Sequence, residues 1–267
     1  MTDHRSPSRD NASREWFEDW FSHPLYLKVY HHRDNAEADL CVETILGITG
    51  TRPHNNSSVL DIACGAGRHA LAFARHGFRV TANDLSGFLL GEAEKEAGKE
   101  GLDLELSCCD MRSINLDRRF DLIVQLFSSF GYFETDEEDR SVLRNVSGML
   151  KPGGWYVLDL INPEHLRKHI VPRTEKSIET LSITEERVLT DRNVSKTITI
   201  RDGVGDECSF SESVRLFSPV EISALLESEN LEVKLLAGDY RGSGFDAGTS
   251  PRMILFARKK TETPDAL

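Results

Sequence analysis

Short apolar segments alternate with helix-like segments over most of the chain, and this order strongly restricts the possible folds. The apolar segments have the length of strands and lie at 58–63, 78–83, 104–109, 120–126, 154–160, 231–237 and 252–258. Helical periodicity or capping signals occur at 67–76, 86–97, 136–150 and 218–228. When strands and helices alternate along the chain, each helix connects two parallel strands and packs on one face of the sheet. We therefore predict an α/β, doubly wound fold, with a turn at Lys151-Pro152-Gly153-Gly154.

Two further segments follow other patterns. Residues 15–52 carry aromatic and aliphatic side chains at helical spacing, with Leu40 on the apolar stripe, and predict a helical cap. Residues 170–215 alternate polar and β-branched residues around an Asp202-Gly203 turn and predict an antiparallel insert. The predicted division is a disordered leader at 1–14, a helical cap at 15–52, a core at 53–169 and 216–260, an antiparallel β insert at 170–215 and a tail at 261–267. We expect the cap and the insert to cover the substrate.

Composition argues against several classes of partner. The formal net charge of -12, without a local basic patch, disfavours nucleic acid. No apolar run reaches the length of a membrane-spanning helix, and the first ten residues contain no hydrophobic signal segment. The five cysteines lack the paired spacing of a metal site and are expected to be reduced thiols. We expect a cytoplasmic monomer or homodimer that binds a small molecule and neither metal nor membrane.

A glycine loop between the first strand and the following helix indicates a nucleotide-like cofactor. Gly65-Ala66-Gly67-Arg68-His69-Ala70 has the form G-x-G-x-x-A, and Asp84 lies about twenty residues further on at the end of the second strand. Glycines allow a ligand to approach the backbone closely, and the acid can accept hydrogen bonds from ribose hydroxyls. By itself this pattern fits a nicotinamide dinucleotide as well as it fits another cofactor that contains a nucleoside.

Asp61 favours one cofactor over the other. It lies four residues before Gly65, at the end of the first strand, where a dinucleotide would place its pyrophosphate. A carboxylate there would repel phosphate but would attract the ammonium and sulfonium groups of S-adenosylmethionine. Asp110 ends the third strand, where it can accept from the adenine amino group, and the backbone N–H of Met111 can bond the ring. Three consecutive acidic strand ends thus favour S-adenosylmethionine.

The segment 59–69 resembles the first motif of class I S-adenosylmethionine-dependent methyltransferases. Asp84 and the segments 110–112, 120–124 and 150–154 follow in the matching order. More narrowly, the segments 30–34, 126–133 and 250–252 are similar to a bacterial group of small-molecule methyltransferases without an assigned substrate. The resemblance implies a Rossmann-like, seven-stranded, mostly parallel sheet of order 3-2-1-4-5-7-6 with one antiparallel strand. It also implies that the cofactor lies over the carboxyl ends of strands one to four.

The resemblance also implies which residues hold the cofactor. By position, Tyr30 and Arg33 would close over the methionine moiety, with Arg33 taking its carboxylate bidentately. The predicted cofactor residues are Tyr30, Arg33, Asp61, Ala63, Cys64, Gly65, Gly67, Arg68, Asp84, Leu85, Asp110, Met111 and Leu126.

The expected reaction is methyl transfer to the nitrogen or oxygen of a small molecule. In-line displacement at a methyl carbon activated by sulfonium requires alignment more than a strong base. If a base is needed, the candidates are His31, His32, Tyr132, His165 and Tyr240. Two alternatives stay open at this point: an NAD(P)-dependent oxidoreductase, from the glycine spacing, and a cofactor-binding module without catalysis.

Overall fold

The computed structural model describes residues 15–30, 35–54 and 57–261. Its strands are β1 (Ser58–Ile62), β2 (Arg79–Asp84), β3 (Leu104–Cys108), β4 (Phe120–Gln125), β5 (Leu150–Ile161), β6 (Arg173–Ile178), β7 (Leu181–Leu189), β8 (Asn193–Arg201), β9 (Glu207–Arg215), β10 (Leu231–Ala237) and β11 (Arg252–Lys259). Its helices are α1 (Trp16–Phe21), α2 (Leu25–Val29), α3 (Asn35–Thr49), α4 (Arg68–Arg75), α5 (Gly87–Glu100), α6 (Asp136–Met149), α7 (Pro163–His169) and α8 (Pro219–Ser228). The predicted leader at 1–14, residues 262–267 of the tail, and His31, His32 and Arg33 lie outside the described residues.

The main sheet has seven strands in the order β3-β2-β1-β4-β5-β11-β10. Neighbours from β3 to β5 are parallel, and β11 is antiparallel to both β5 and β10. The predicted order 3-2-1-4-5-7-6 is confirmed, with β10 and β11 as the sixth and seventh strands. All five residues of β1 are buried, as expected for a central parallel strand covered on both faces. The strand order reverses between β1 and β4, and in such sheets ligands bind beside the carboxyl ends of these strands.

The predicted turn at 151–154 is wrong. Strand β5 already begins at Leu150, which pairs with Phe120, and the next register pair joins Leu122 to Trp155. The residues between them form an irregularity in the strand, in which Gly153 has a φ of +74°. Proline and glycine favour bulges for the same reasons that they favour turns, so their presence alone does not separate the two.

The predicted helical cap divides into two parts in the structure. Helices α1 and α2 pack on the sheet formed by the insert, where the ring centres of Trp20 and Phe210 lie 4.4 Å apart. Helix α3 instead buries Cys41 and Ile45 in the same apolar cluster as Val59 of β1, and it contacts α4. It therefore belongs to the helical layer of the core. Leu40, predicted on the apolar stripe, is exposed, because this face of α3 points away from the sheet.

The insert forms the expected antiparallel sheet, with strand order β6-β7-β8-β9. Arg215 at the end of β9 joins this sheet to the core: its Nη1 lies 2.6 Å from Oδ2 of Asp139 in α6, and its backbone N–H donates to Gly131 O at 2.7 Å. Asp139 is fully buried, and burial raises its pKa to about 7. Within the described ranges, no helix combines the length and the apolar character needed to cross a membrane.

Candidate cofactor-binding site

A cavity of about 330 Å³ opens at the carboxyl ends of β1, β2 and β4. One wall comes from the glycine loop and the acidic strand ends, and the other from aromatic side chains of α1, α2 and the segment after β4. The cavity places Tyr30, Asp61, Ala63, Cys64, Gly65, Arg68, Asp84, Leu85, Asp110, Met111 and Leu126 together. Of the described cofactor residues predicted from sequence, only Gly67 is not part of its lining.

The two glycines of the loop have different surroundings. Gly65 has a φ of +59°, and no atom lies within 4 Å of where its Cβ would stand. Gly67 has a φ of +81°, and its Cβ would stand 2.7 Å from the Cβ of Ala93 in α5. Gly65 therefore leaves space beside the cavity, whereas Gly67 allows the start of α4 to approach α5. Contact between Gly67 and the cofactor stays a prediction, since it would be made by the backbone and not by the position that faces α5.

Asp61 is a buried carboxylate at the floor of the cavity. Its side chain is 1% exposed, and Oδ2 has no hydrogen-bond partner among the described residues. Burial raises the pKa of Asp61 to about 8, and the negative charge of Asp84 adds to the effect, while the Ala70 N–H and the charge of Arg68 oppose it. A buried acceptor without a partner is costly, so this oxygen is suited to a cationic ligand group. The ammonium of S-adenosylmethionine fits this requirement.

Asp84 shapes the glycine loop while facing the same cavity. Its Oδ2 accepts from Gly65 N at 2.8 Å, and its Oδ1 accepts from Ser86 N at 2.8 Å. Burial raises the pKa of Asp84, although these backbone N–H groups favour its ionised form. Each oxygen keeps a further lone pair, so the carboxylate can still accept from two ribose hydroxyls.

Asp110 lines the cavity, but much of its capacity as an acceptor is used within the protein. Arg112 Nη2 lies 2.6 Å from Asp110 Oδ2, and the Arg112 backbone N–H donates to Oδ1 at 2.7 Å. The same guanidinium pairs with Glu15 and Glu138 and lies 4.4 Å from the centre of the Phe133 ring. The predicted bond from the adenine amino group would thus share a carboxylate with Arg112, a partner that the sequence pattern did not indicate.

Aromatic side chains form another part of the cavity lining, the aromatic wall. Its members are Phe17, Phe21, Tyr26, Tyr30, Tyr132 and Phe133. The insert fixes part of this wall, because the Tyr30 hydroxyl donates to Glu212 Oε1 at 2.5 Å and Lys196 pairs with the same carboxylate at 2.7 Å. Tyr30 therefore lines the cavity and is held there by two residues of the insert.

The candidate bases are separated by the structure. Tyr132 lines the cavity, whereas the Tyr240 hydroxyl donates to buried Asp159 at 2.7 Å and does not line it. His165 stacks on His169 at 4.1 Å, also away from the cavity. Neither Tyr240 nor His165 lines the cavity, and the role of either residue as a base stays a prediction. His69 lines the cavity and was not proposed from sequence, although it belongs to the glycine motif. In the described part of the chain, no cluster of side chains is arranged to hold a metal ion.

Comparison with known proteins agrees with this geometry. A model of a methyltransferase domain matches residues 59–154. The chain is 27% identical over 219 residues to cypemycin N-terminal methyltransferase of a Streptomyces species, covering 79% of this chain and 87% of that protein. It is 27% identical over 212 residues to dTDP-3-amino-3,4,6-trideoxy-alpha-D-glucopyranose N,N-dimethyltransferase of Streptomyces venezuelae, covering 76% and 87%. A solved S-adenosylmethionine-dependent methyltransferase from Clostridium acetobutylicum ATCC 824 is similar in fold, with a TM-score of 0.76 and 21% identity over 88% of this chain and 96% of that one.

Proposed function

Because the chain is an S-adenosylmethionine-dependent methyltransferase of the class I superfamily, we propose that it methylates the nitrogen of a small-molecule amine. The observation that carries the proposal is the aromatic wall defined above. Ring faces attract cations, and among the described residues that line the cavity only Arg68 carries a permanent positive charge. The acceptor side thus suits a protonated amine. The two curated relatives described above are also N-methyltransferases by name.

The residues of this chain would bind and align the reactants. Bound S-adenosylmethionine supplies a methyl group activated by sulfonium. Asp61 would hold its ammonium and Asp84 its ribose, while the aromatic wall excludes water and orients the amine lone pair along the line of displacement. A protonated amine has no lone pair, so it would first give one proton to water or to a side chain such as Tyr132 or His69. The neutral amine would then accept the methyl group as its bond to sulfur breaks, and S-adenosylhomocysteine would leave.

The alternative of a dinucleotide oxidoreductase is not favoured. A pyrophosphate beside the glycine loop would lie near Asp61, a buried carboxylate whose free oxygen requires a donor or a cation. We also propose that the protein works in the cytoplasm, in keeping with five free cysteines, and that it acts as a monomer or homodimer. The net charge of -12 supports the view that nucleic acid is not its substrate.

Incubation with methyl-labelled S-adenosylmethionine tests the acceptor class. The panel contains amino sugars, amino acids and peptides that have a free N-terminus. Each amine is paired with the corresponding hydroxyl compound, and catechols are also included. We expect label on amines and not on the matched hydroxyl compounds. Label confined to the hydroxyl compounds would contradict the proposal.

Two substitutions at Tyr132 separate the role of its ring from that of its hydroxyl. Tyr132→Leu removes the ring and is expected to raise KM for the amine about 3- to 30-fold, because a cation–π contact is lost. Tyr132→Phe keeps the ring and is expected to change KM less than twofold. Steady-state kinetics at saturating cofactor measures both variants, and a larger loss in kcat for Tyr132→Phe would instead identify the hydroxyl as a base.

A further inference from the structure

The segment after β4 has a strained backbone at the edge of the cavity. Phe127 and Ser128 have φ values of +64° and +62°, a region that non-glycine residues rarely adopt. Each such residue costs on the order of 1 kcal/mol and persists only where neighbouring groups hold it. Phe127 also lines the cavity, next to the point where the strand order reverses. A strained residue at this point requires a structural support.

The support comes from an ion pair between a fully buried aspartate and a largely buried arginine. Asp159 of β5, which has no exposed side-chain surface, accepts from Phe127 N at 2.8 Å, and its backbone carbonyl accepts from Ser128 N at 3.0 Å. Arg252 of β11 donates from Nε to Asp159 at 2.8 Å and from Nη2 to Ser128 Oγ at 2.7 Å. Neither Asp159 nor Arg252 lines the cavity. Three hydrogen bonds therefore join this ion pair to the two strained residues, and a fourth joins Arg252 to Asp159.

The Phe127 ring extends this network to the cavity. The Arg252 guanidinium carbon lies 5.7 Å from the ring centre, and that of Arg68 lies 5.2 Å from it. Arg68 begins α4, lines the cavity and also lies 3.6 Å from Glu37. The ring is thus in contact with both guanidinium groups, so its position affects where Arg68 stands.

Arg68 and Asp61 line the same cavity, and the charge of Arg68 opposes the rise in the Asp61 pKa. The ammonium and the carboxylate of a methionine moiety are attached to one carbon atom. An acid and a guanidinium in the lining of one cavity can match these two groups, and guanidinium binds carboxylate in a planar, two-point manner.

We propose that Asp159 and Arg252 are positioning residues for the cofactor: they hold Phe127, and through its ring they place Arg68 to bind the carboxylate of the methionine moiety. The inference depends on cofactor binding alone and is independent of the acceptor proposed above.

Calorimetry with two ligands tests this assignment. S-Adenosylhomocysteine carries the amino-acid moiety, and 5′-methylthioadenosine lacks it. Arg252→Lys keeps the charge but loses the planar contacts, and we expect it to weaken S-adenosylhomocysteine about tenfold while 5′-methylthioadenosine changes less than twofold. Tyr240→Phe, which removes one other hydrogen bond to Asp159, is the matched control and should leave both affinities within about twofold. Equal losses for both ligands, or no loss, would overturn the proposal.

A double-mutant cycle tests the route through Arg68. Arg68→Met alone should selectively weaken S-adenosylhomocysteine, and adding Arg252→Lys to it should cause little further loss, since the second change then has no guanidinium left to position. Additive losses of affinity in the double variant would show that Arg252 does not act through Arg68. Asp159→Asn leaves Arg252 buried without its partner and can prevent folding, so the cycle uses the charge-preserving change.

Discussion

Replacing Asp61 by Asn is expected to stabilise the ligand-free protein while it weakens S-adenosylhomocysteine binding about 100-fold. The carboxylate is buried, and its Oδ2 has no partner among the described residues, so its charge opposes folding. The neutral amide removes that cost. It also removes the charge that would bind the ligand ammonium, a charged hydrogen bond worth about 2–3 kcal/mol. Thermal unfolding and calorimetry measure the two effects on the same variant.

The stability gain should depend on pH in a defined direction. Burial raises the pKa of Asp61 from 3.8 to about 8, so between these values the folded state holds a proton that the unfolded state has released. Stability of the unsubstituted protein therefore falls as pH rises through this window, by a few kcal/mol as an order of magnitude. The advantage of Asp61→Asn in melting temperature should grow from pH 4 to pH 8 and then level off.

Asp121→Asn is a control variant in which the expected change in stability has the opposite sign. Burial acts to raise the Asp121 pKa, but the Lys151 ammonium at 2.8 Å and the Ser58 N–H outweigh it, so the pKa is lowered. Its charge therefore favours folding at neutral pH, and the substitution should lower the melting temperature. An Asp61→Asn variant that melts lower than the unsubstituted protein at pH 8, or binds S-adenosylhomocysteine within threefold of it, would contradict the assigned role of Asp61.

Alanine at the two loop glycines should separate folding from binding. At Gly67 the new Cβ would stand 2.7 Å from Ala93 Cβ, so α4 or α5 must shift, and the φ of +81° adds strain. We expect Gly67→Ala to cost about 2–4 kcal/mol of stability. At Gly65 nothing lies within 4 Å and only the φ of +59° is unfavourable, so Gly65→Ala should cost about 1 kcal/mol. Its Cβ would occupy space beside the cavity, and S-adenosylhomocysteine should bind more than tenfold weaker. Chemical denaturation measures the stability of the two variants, and calorimetry measures their affinity for S-adenosylhomocysteine. A larger loss of stability in Gly65→Ala than in Gly67→Ala would contradict the assigned roles.

The sequence predicted the parts of the fold that depend on local pattern. Central strands such as β1 are short, buried and mainly apolar, and the acids at or just beyond the ends of β1 to β3 have positions fixed by the strands themselves. Once the sheet is parallel, these ends must meet at one edge. This is why the sequence alone predicts that Asp61, Asp84 and Asp110 lie together.

The remaining features depend on contacts between distant segments. Asp159 and Arg252 are 93 residues apart in the chain, and neither their pairing nor the strain at Phe127 has a local signal. The role of Gly67 depends on Ala93, which only the packing of α4 on α5 brings close. Tyr240 resembled a base in sequence because its loop precedes the last strand, yet it is directed at Asp159.

Calorimetric titration of the purified chain with S-adenosylhomocysteine and, separately, with NADH tests the central claim most directly. A buried carboxylate beside the glycine loop, placed to attract an ammonium and to repel a pyrophosphate, predicts micromolar binding of S-adenosylhomocysteine and no heat with NADH. Binding of NADH without binding of S-adenosylhomocysteine would contradict the account.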